Sequence, residues 1–264
     1  FNQLPGLHPE QFDTQEGIEE FFAILTDQIG RHLDHFVQES GHSGGGLFAR
    51  EAAKGLRFLR LAEKRYDVVA TNPPYLDSRD YSAVHKAYLE DQFPASKRNL
   101  FAAFIQRCLE LTDPDGLVGL LTGQSFMFIS SYEALRDELL AEAAIETLAQ
   151  FDYHLFRERV DTAAFVLRRE PNAMRRDCQI GTYFRLVKER DADAKRLAFE
   201  AAVQSLGHDD THHQLFHYQQ SDFDAIPGKP WVYWMSSGVR TVFGQHPVLG
   251  SESPAVVGLR TSNN

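Results

Sequence analysis

Cysteine is scarce: Cys108 and Cys178 are the only two among 264 residues, and neither has a partner at C-x-x-C spacing. That excludes a disulfide framework and a cysteine zinc site, and it fits a reducing, cytoplasmic setting. Long apolar runs are also lacking. The longest nearly apolar stretch, around Gly116 to Thr122, falls far short of the roughly 20 residues a spanning helix needs. No basic segment followed by an apolar one marks the N-terminus. A soluble, unsecreted chain with no membrane partner is expected. Basic charge is in deficit as well, with 27 Lys and Arg against 37 Asp and Glu for a net charge of −10. Phosphate contacts need cations, so the deficit argues at first against nucleic acid. Its distribution weakens that argument, because residues 1–46 hold eight acids against one base, Arg31, leaving 26 bases and 29 acids elsewhere. A local basic face stays open. An initiating methionine is missing too: the chain runs from Phe1 to Gly258-Leu-Arg-Thr-Ser-Asn-Asn264 with no closing element, so a piece of a longer protein is expected.

What is present is an ordinary globular composition, 43% hydrophobic and 24% charged, on a chain long enough to bury a large core. Ile18, Phe21, Phe22, Leu25, Ile29, Leu33 and Phe36 recur at steps of three and four, which predicts an amphipathic helix packed by that stripe. Gly41 to Gly46 reads as a flexible break before a second helix, roughly Leu47 to Lys64. Tyr66 to Thr71 reads as a short buried strand running into Asn72-Pro73-Pro74-Tyr75. Asn99 to Leu111 is helical, with Leu100, Phe104, Cys108 and Leu111 on one face, and Asp113-Pro-Asp-Gly116 stops it. Leu117–Thr122, Ile145–Phe151 and Thr162–Leu167 read as strands, and Ser131–Ala141 as a helix capped by Ser130 or Ser131. Alternation of apolar strands with helices predicts an α/β sheet covered on both faces.

From Arg168 the texture changes to a charged, polar stretch, and Ile226-Pro-Gly-Lys-Pro-Trp-Val-Tyr-Trp234 is aromatic and irregular. The expected organisation is a catalytic domain over 1–170 with an N-terminal helical segment over 1–64. A polar linker or insertion over 171–222 and a mixed or β-rich module from 223 follow.

The informative tetrapeptide is Asn72-Pro73-Pro74-Tyr75, at the C-terminal end of a strand, where open α/β sheets place ligands. Consecutive prolines stiffen the backbone and remove two N–H donors, leaving carbonyls free to accept. An Asn oxygen and a prolyl carbonyl can take both hydrogens of a planar amino group, drawing its lone pair out of conjugation. The tyrosine offers a flat face for an aromatic base.

These residues resemble the catalytic motif of amino-methyltransferases that use S-adenosyl-L-methionine, and the Asn-initial form resembles adenine-N6 DNA methyltransferases. The resemblance extends through Lys97-Arg-Asn99-Leu100-Phe101-Ala-Ala-Phe104, Asp113-Pro-Asp-Gly116, and Leu117–Thr122 with Gln124-Ser125-Phe126. A catalytic half followed by a long C-terminal region is similar to the gamma group, which includes fused restriction-modification enzymes. Within it, Ile226–Trp234 and the terminal segment look most like the PglX methyltransferases of BREX phage-defence systems.

The resemblance implies a Rossmann-like methyltransferase sheet, here partial, and an S-adenosyl-L-methionine cofactor. It also implies double-stranded DNA as substrate, other defence-system proteins as possible partners, and a target-recognition module at the C-terminal end. It assigns catalysis to Asn72, Pro73, Pro74 and Tyr75, and base stacking to Tyr75 and to Phe156, six residues before Thr162. The target adenine would be flipped out of the duplex. The family's glycine-rich cofactor loop is absent: no apolar strand precedes Ser43-Gly-Gly-Gly46, and Gly116 to Gly119 belongs to the turn and strand already assigned. The cofactor half is therefore expected upstream, with the fragment alone inactive. A cytosine-C5 mechanism would need a cysteine after proline, whereas Cys108 follows Arg107 and Cys178 follows Asp177.

Weaker constellations remain. His208, His212, His213 and His217 with Asp209 and Asp210 read as a histidine-rich surface stretch before they read as a metal site. Arg57, Arg60, Lys64 and Arg65 read as a solvated helical face before a DNA contact, and Trp231 and Trp234 as core packing before base contacts. Two other functions stay open on the residues alone. One is an amino-methyltransferase acting on protein glutamine or ribosomal RNA, and the other a non-catalytic DNA-binding subunit with a degenerate methyltransferase fold.

Overall fold

The computed structural model describes residues 24, 26–32, 35, 44–153, 155, 160–207 and 212–246. The chain divides into two compact units, 1–64 and 65–264. In the first, residues 26–32 are helical and α1 (Gly44–Glu63) starts inside the glycine run expected to be a break. Of the predicted apolar stripe only Ile29 falls among the described residues, and it is exposed. Arg60, expected on a solvated basic face, donates to the Thr26 carbonyl at 2.6 Å and pairs with Asp27 at 3.4 Å. Gly30 leaves the space its guanidinium occupies, since a Cβ there would overlap it.

The second unit is built on six strands: β1 (Tyr66–Thr71), β2 (Thr112–Gly123), β3 (Ala143–Asp152), β4 (Thr162–Arg169), β5 (Ile180–Arg185) and β6 (Leu215–Gln219). Their order is β1-β2-β4-β3-β5-β6. The β1/β2 and β3/β5 pairs are parallel, and the other three are antiparallel. With helices α2 (Ala83–Gln92), α3 (Leu100–Glu110), α4 (Glu133–Glu142), α5 (Ala173–Cys178), α6 (Ala192–Gln204) and α7 (Ser237–Gln245), the fold is α/β with a mixed sheet.

Alternation along the strands sorts the two faces. Leu148 and Tyr183 point into the main core with Val118, Leu120, Phe165 and Leu167, where α3 adds Ile105 and Leu109 and α4 adds Leu135 and Leu139. Each such fully buried Leu or Phe contributes about 1.5–3 kcal/mol. The neighbours Ala149 and Phe184 point the other way, under Phe199 and Ala202 of α6. Covering of both faces, expected for the whole sheet, fails over β1 and β2, where Val68 and Leu117 are exposed. β1 is likewise not the buried strand its composition suggests. It lies at the sheet edge, and Asp67, Val68 and Ala70 are exposed.

Asp113-Pro-Asp-Gly116 does its turning within β2, as a bulge that shifts the register between Tyr66 and Val68. Asp115 takes φ 63°, and a Cβ on Gly116 would lie 2.8 Å from the Asp67 carbonyl oxygen, so glycine is required there. α4 starts at Glu133 after a 3-10 turn over Ser130–Tyr132, and its cap position, Tyr132, makes no side-chain capping bond. The serines expected as caps are spent on the preceding turn.

Residues 171–222, expected to be a polar linker or insertion, supply β5 and β6. Their runs are too short and too polar at alternate positions to stand out, yet Tyr183 and Tyr218 are buried in the main core. Residues 226–234 are irregular, as composition implies, and continue the same core. Trp231 is fully buried against Phe126 and Phe223, and Tyr233 stacks on Tyr183 at 4.5 Å. Neither expected boundary, at 170 or at 223, is a break in the core.

Candidate active site at the end of β1

β1 ends at Thr71 because Pro73 and Pro74 have no N–H to continue the ladder with β2. The loop then pairs with the segment that enters α3. Leu100 N donates to the Leu76 carbonyl and Ser78 N to the Arg98 carbonyl, each at 2.9 Å, and Asp77 forms a bridge with Asn99. Asn99 caps α3, its side chain accepting from Phe101 N. The tetrapeptide is thus held from both sides, by β1 and by the start of α3.

Within it, Asn72 is exposed, Pro73 buried and Pro74 exposed. Among the described residues the Asn72 side chain and the Pro73 carbonyl have no hydrogen-bond partner. Tyr75 donates its hydroxyl to the Leu121 carbonyl of β2 at 3.2 Å, which fixes a ring still 38% exposed. Partial burial raises its hydroxyl above the ordinary tyrosine range, so it stays a neutral donor. Phe101 supports that ring at 5.9 Å and meets Tyr132 at 6.3 Å. Gly123 makes room for Phe101, because an added Cβ would lie 3.0 Å from its ring edge. Gly123 escapes a motif reading, and Phe101 enters one only as part of Lys97–Phe104, with no role at the site. Their spacing marks an apolar helix face and a strand end, and only the fold brings them under Tyr75.

The neighbouring loop after β2 is closed. Gln124 is buried, its side chain accepts from Gln150, and Gln150 accepts from the Tyr233 hydroxyl. Gln124 N donates to the Asp161 carbonyl at the mouth of the β3–β4 hairpin. Asp161 has a carboxyl raised by burial and by the nearby Asp152 charge. Phe156, the expected second stacking residue, lies outside the described residues, as do His208, Asp209 and Asp210. His212 and His213 stack on each other off any helix, His217 sits on β6, and no metal-binding group occurs among the described residues. Cys108 is buried with its thiol pushed up to about 11, which removes it as a nucleophile, and Cys178 is exposed. No helix among the described residues is long and apolar enough to cross a membrane.

β1 opens the sheet, no described strand before it ends in a glycine turn, and the open groups at its tip are acceptors suited to an amino group.

Comparisons with known proteins give the family. The chain is 32% identical over 185 residues to the adenine-specific methyltransferase PglX of Lacticaseibacillus casei (strain Zhang), covering 69% of this chain and 15% of that protein. It is 32% identical over 228 residues to the adenine-specific methyltransferase BrxX of Escherichia coli O9:H4 (strain HS), covering 83% and 18%. The chain thus spans less than a fifth of the length of these curated relatives. Among solved structures, a modification subunit of a putative type I restriction enzyme from Vibrio vulnificus YJ016 aligns with TM-score 0.46 and 14% identity, covering 61% of this chain and 35% of that one. The model of the Eco57I restriction-modification methylase matches residues 11–156, which include β1, the open tetrapeptide and α3. The chain belongs to the Eco57I restriction-modification methylase family.

Proposed function

We propose that this chain carries the acceptor half of the active site of an S-adenosyl-L-methionine-dependent DNA adenine-N6 methyltransferase serving phage defence of the BREX or restriction-modification type. The observation that carries the reading is the open pair at the tip of β1, Asn72 Oδ1 and the Pro73 carbonyl, beside a Tyr75 ring pinned by Leu121. Two acceptors on a stiff backbone match the two hydrogens of an exocyclic amine. Accepting both turns the nitrogen lone pair out of the ring system and toward an electrophile. Tyr75 gives the extruded adenine a stacking face, worth about 1–3 kcal/mol per base. Positioning and fixed dipoles supply the acceleration, with no covalent bond to the protein. Bound S-adenosyl-L-methionine would supply an activated methyl group. The relatives PglX and BrxX are both adenine-specific methyltransferases, which supports the same substrate.

The test uses the protein with its native flanking sequence. Asn72→Ala is expected to lower methyl incorporation into duplex DNA about 10²–10³-fold, as for loss of one preorganised polar group, while DNA affinity is largely unchanged. Retained methylation overturns the assignment.

A further inference from the structure

We infer that the cleft formed by residues 77–98 and Ser131 is the seat of the sugar-phosphate backbone next to the extruded nucleotide, with Lys97 and Arg98 as its phosphate contacts. The inference rests on the adenine reading above and deepens it.

The cleft has a volume of about 620 Å³ and begins two residues after Tyr75. Its walls are the turn Ser78–Asp80, one side of α2 and the segment leading to α3, and Arg79, Lys86, Lys97 and Arg98 face it against two carboxylates, Asp77 and Glu90. Asp77 is already engaged by Arg79 Nε at 2.7 Å, an exchange that holds its carboxyl below the usual range. Lys86, Lys97 and Arg98 are exposed and make no close ion pair among the described residues, Arg98 acting on Asp77 only at longer range. Four cations against two carboxylates, on a chain of net charge −10, set up a local positive field. The positions are fixed, since the Arg98 carbonyl holds Ser78 N and the floor is anchored by buried Phe93 and Ser96.

Why phosphodiester and not another anion follows from covalent connection. A base stacked on Tyr75 brings its own flanking phosphates within one nucleotide of the ring. The cleft continues the Tyr75 loop, and the bonds from Ser78 N to the Arg98 carbonyl and from Leu100 N to the Leu76 carbonyl tie the Lys97–Arg98 segment to that loop, so its cations are placed to receive them. A polar, open trough suits a sugar-phosphate chain better than an apolar ligand.

The experiment measures binding of a fluorescein-labelled duplex by anisotropy across a salt series, with the protein in its native flanking sequence. The double variant Lys97→Gln with Arg98→Gln is expected to bind about tenfold more weakly, equally for duplexes with and without the methylated sequence. Its plot of log affinity against log salt should be shallower by about 2, near 0.9 per lost phosphate contact. Charge-conserving Lys97→Arg with Arg98→Lys should restore the slope. An unchanged slope in the glutamine pair overturns the cleft assignment, as does weakening confined to the methylated sequence or loss of a protein partner without loss of DNA. Asn72→Ala in parallel separates the two claims. Lost methylation with an unchanged slope in the glutamine pair removes the cleft alone, whereas retained methylation in Asn72→Ala removes the adenine reading itself.

Discussion

β1 and β2 are parallel neighbours, so the loops that follow them leave the same end of the sheet, yet the two loops treat their polar groups in opposite ways. After β2 almost everything is claimed inside the protein. The buried Arg136 guanidinium donates to the Phe126 and Ile129 carbonyls at 2.8 Å and to the Gly228 carbonyl at 2.6 and 2.8 Å, and Trp231 N donates to the Met127 carbonyl at 2.9 Å. After β1 the Asn72 amide and the Pro73 carbonyl are claimed by nothing described. Burying unpaired polar groups costs free energy, so the inward-turned groups after β2 are paired within the protein, whereas the exposed Asn72 side chain after β1 stays open to solvent or a ligand.

The comparison breaks most visibly at Arg136. Arg136→Ala strands three carbonyls and removes bonds to a charged donor, and should lower unfolding free energy by about 3 kcal/mol or more, read from the midpoint of a urea titration. Asn72→Ala on the open side should move that midpoint by less than about 0.5 kcal/mol. At Tyr75 the two roles separate. Tyr75→Phe keeps the stacking face and loses only the Leu121 bond, whereas Tyr75→Ala should cost about 1–3 kcal/mol of transition-state stabilisation, measured as kcat/KM on duplex DNA. Gly123→Ala should destabilise by about 1–2 kcal/mol through overpacking against Phe101, and lower activity by disturbing the ring beneath Tyr75.

A smaller effect comes from Asp161. Its carboxyl is raised in the folded state by burial and by Asp152, so the native protein holds the proton more tightly than the unfolded chain. Stability from this group is full below the ordinary Asp value of 3.8 and is lost as pH rises through the raised folded value. Asp161→Asn should flatten that decline in a pH series of thermal midpoints. Smallest of all, a thiol reagent should label exposed Cys178 in the native protein without loss of stability, and buried Cys108 only on unfolding.

Much of this is legible in the residues because it rests on local periodicity or on punctuation. The strands at Tyr66–Thr71 and Thr162–Arg169 and helix α3 follow from apolar spacing, and the prolines at 73 and 74 mark the tip of β1. What escapes depends on pairing across distance. β6 is five residues with a buried Tyr218 and an exposed His217, a run that signals a strand only once β5 lies beside it. Arg136 lies within the helix expected over Ser131–Ala141, and nothing local announces that three carbonyls converge on it. The basic cleft escapes for the same reason. Lys97 and Arg98 are adjacent in sequence, but Arg79 and Lys86 join them only through the Asp77–Asn99 bridge and the placement of α2.

The link between Gly228 and Arg136 also sets a rule for anyone recombining members of this family. Gly228 takes φ 76°, and Lys229, at φ 45°, ties its ammonium to Asp137 and Asp224. Through this short clasp the segment up to Trp234 is stitched to α4 and to the loop after β2. A chimera that exchanges the downstream region at residue 170 or 223, where composition changes, would cut through the core. A crossover placed after Trp234 keeps Trp231, Tyr233 and the Arg136 bonds on the same parent as the sheet they complete.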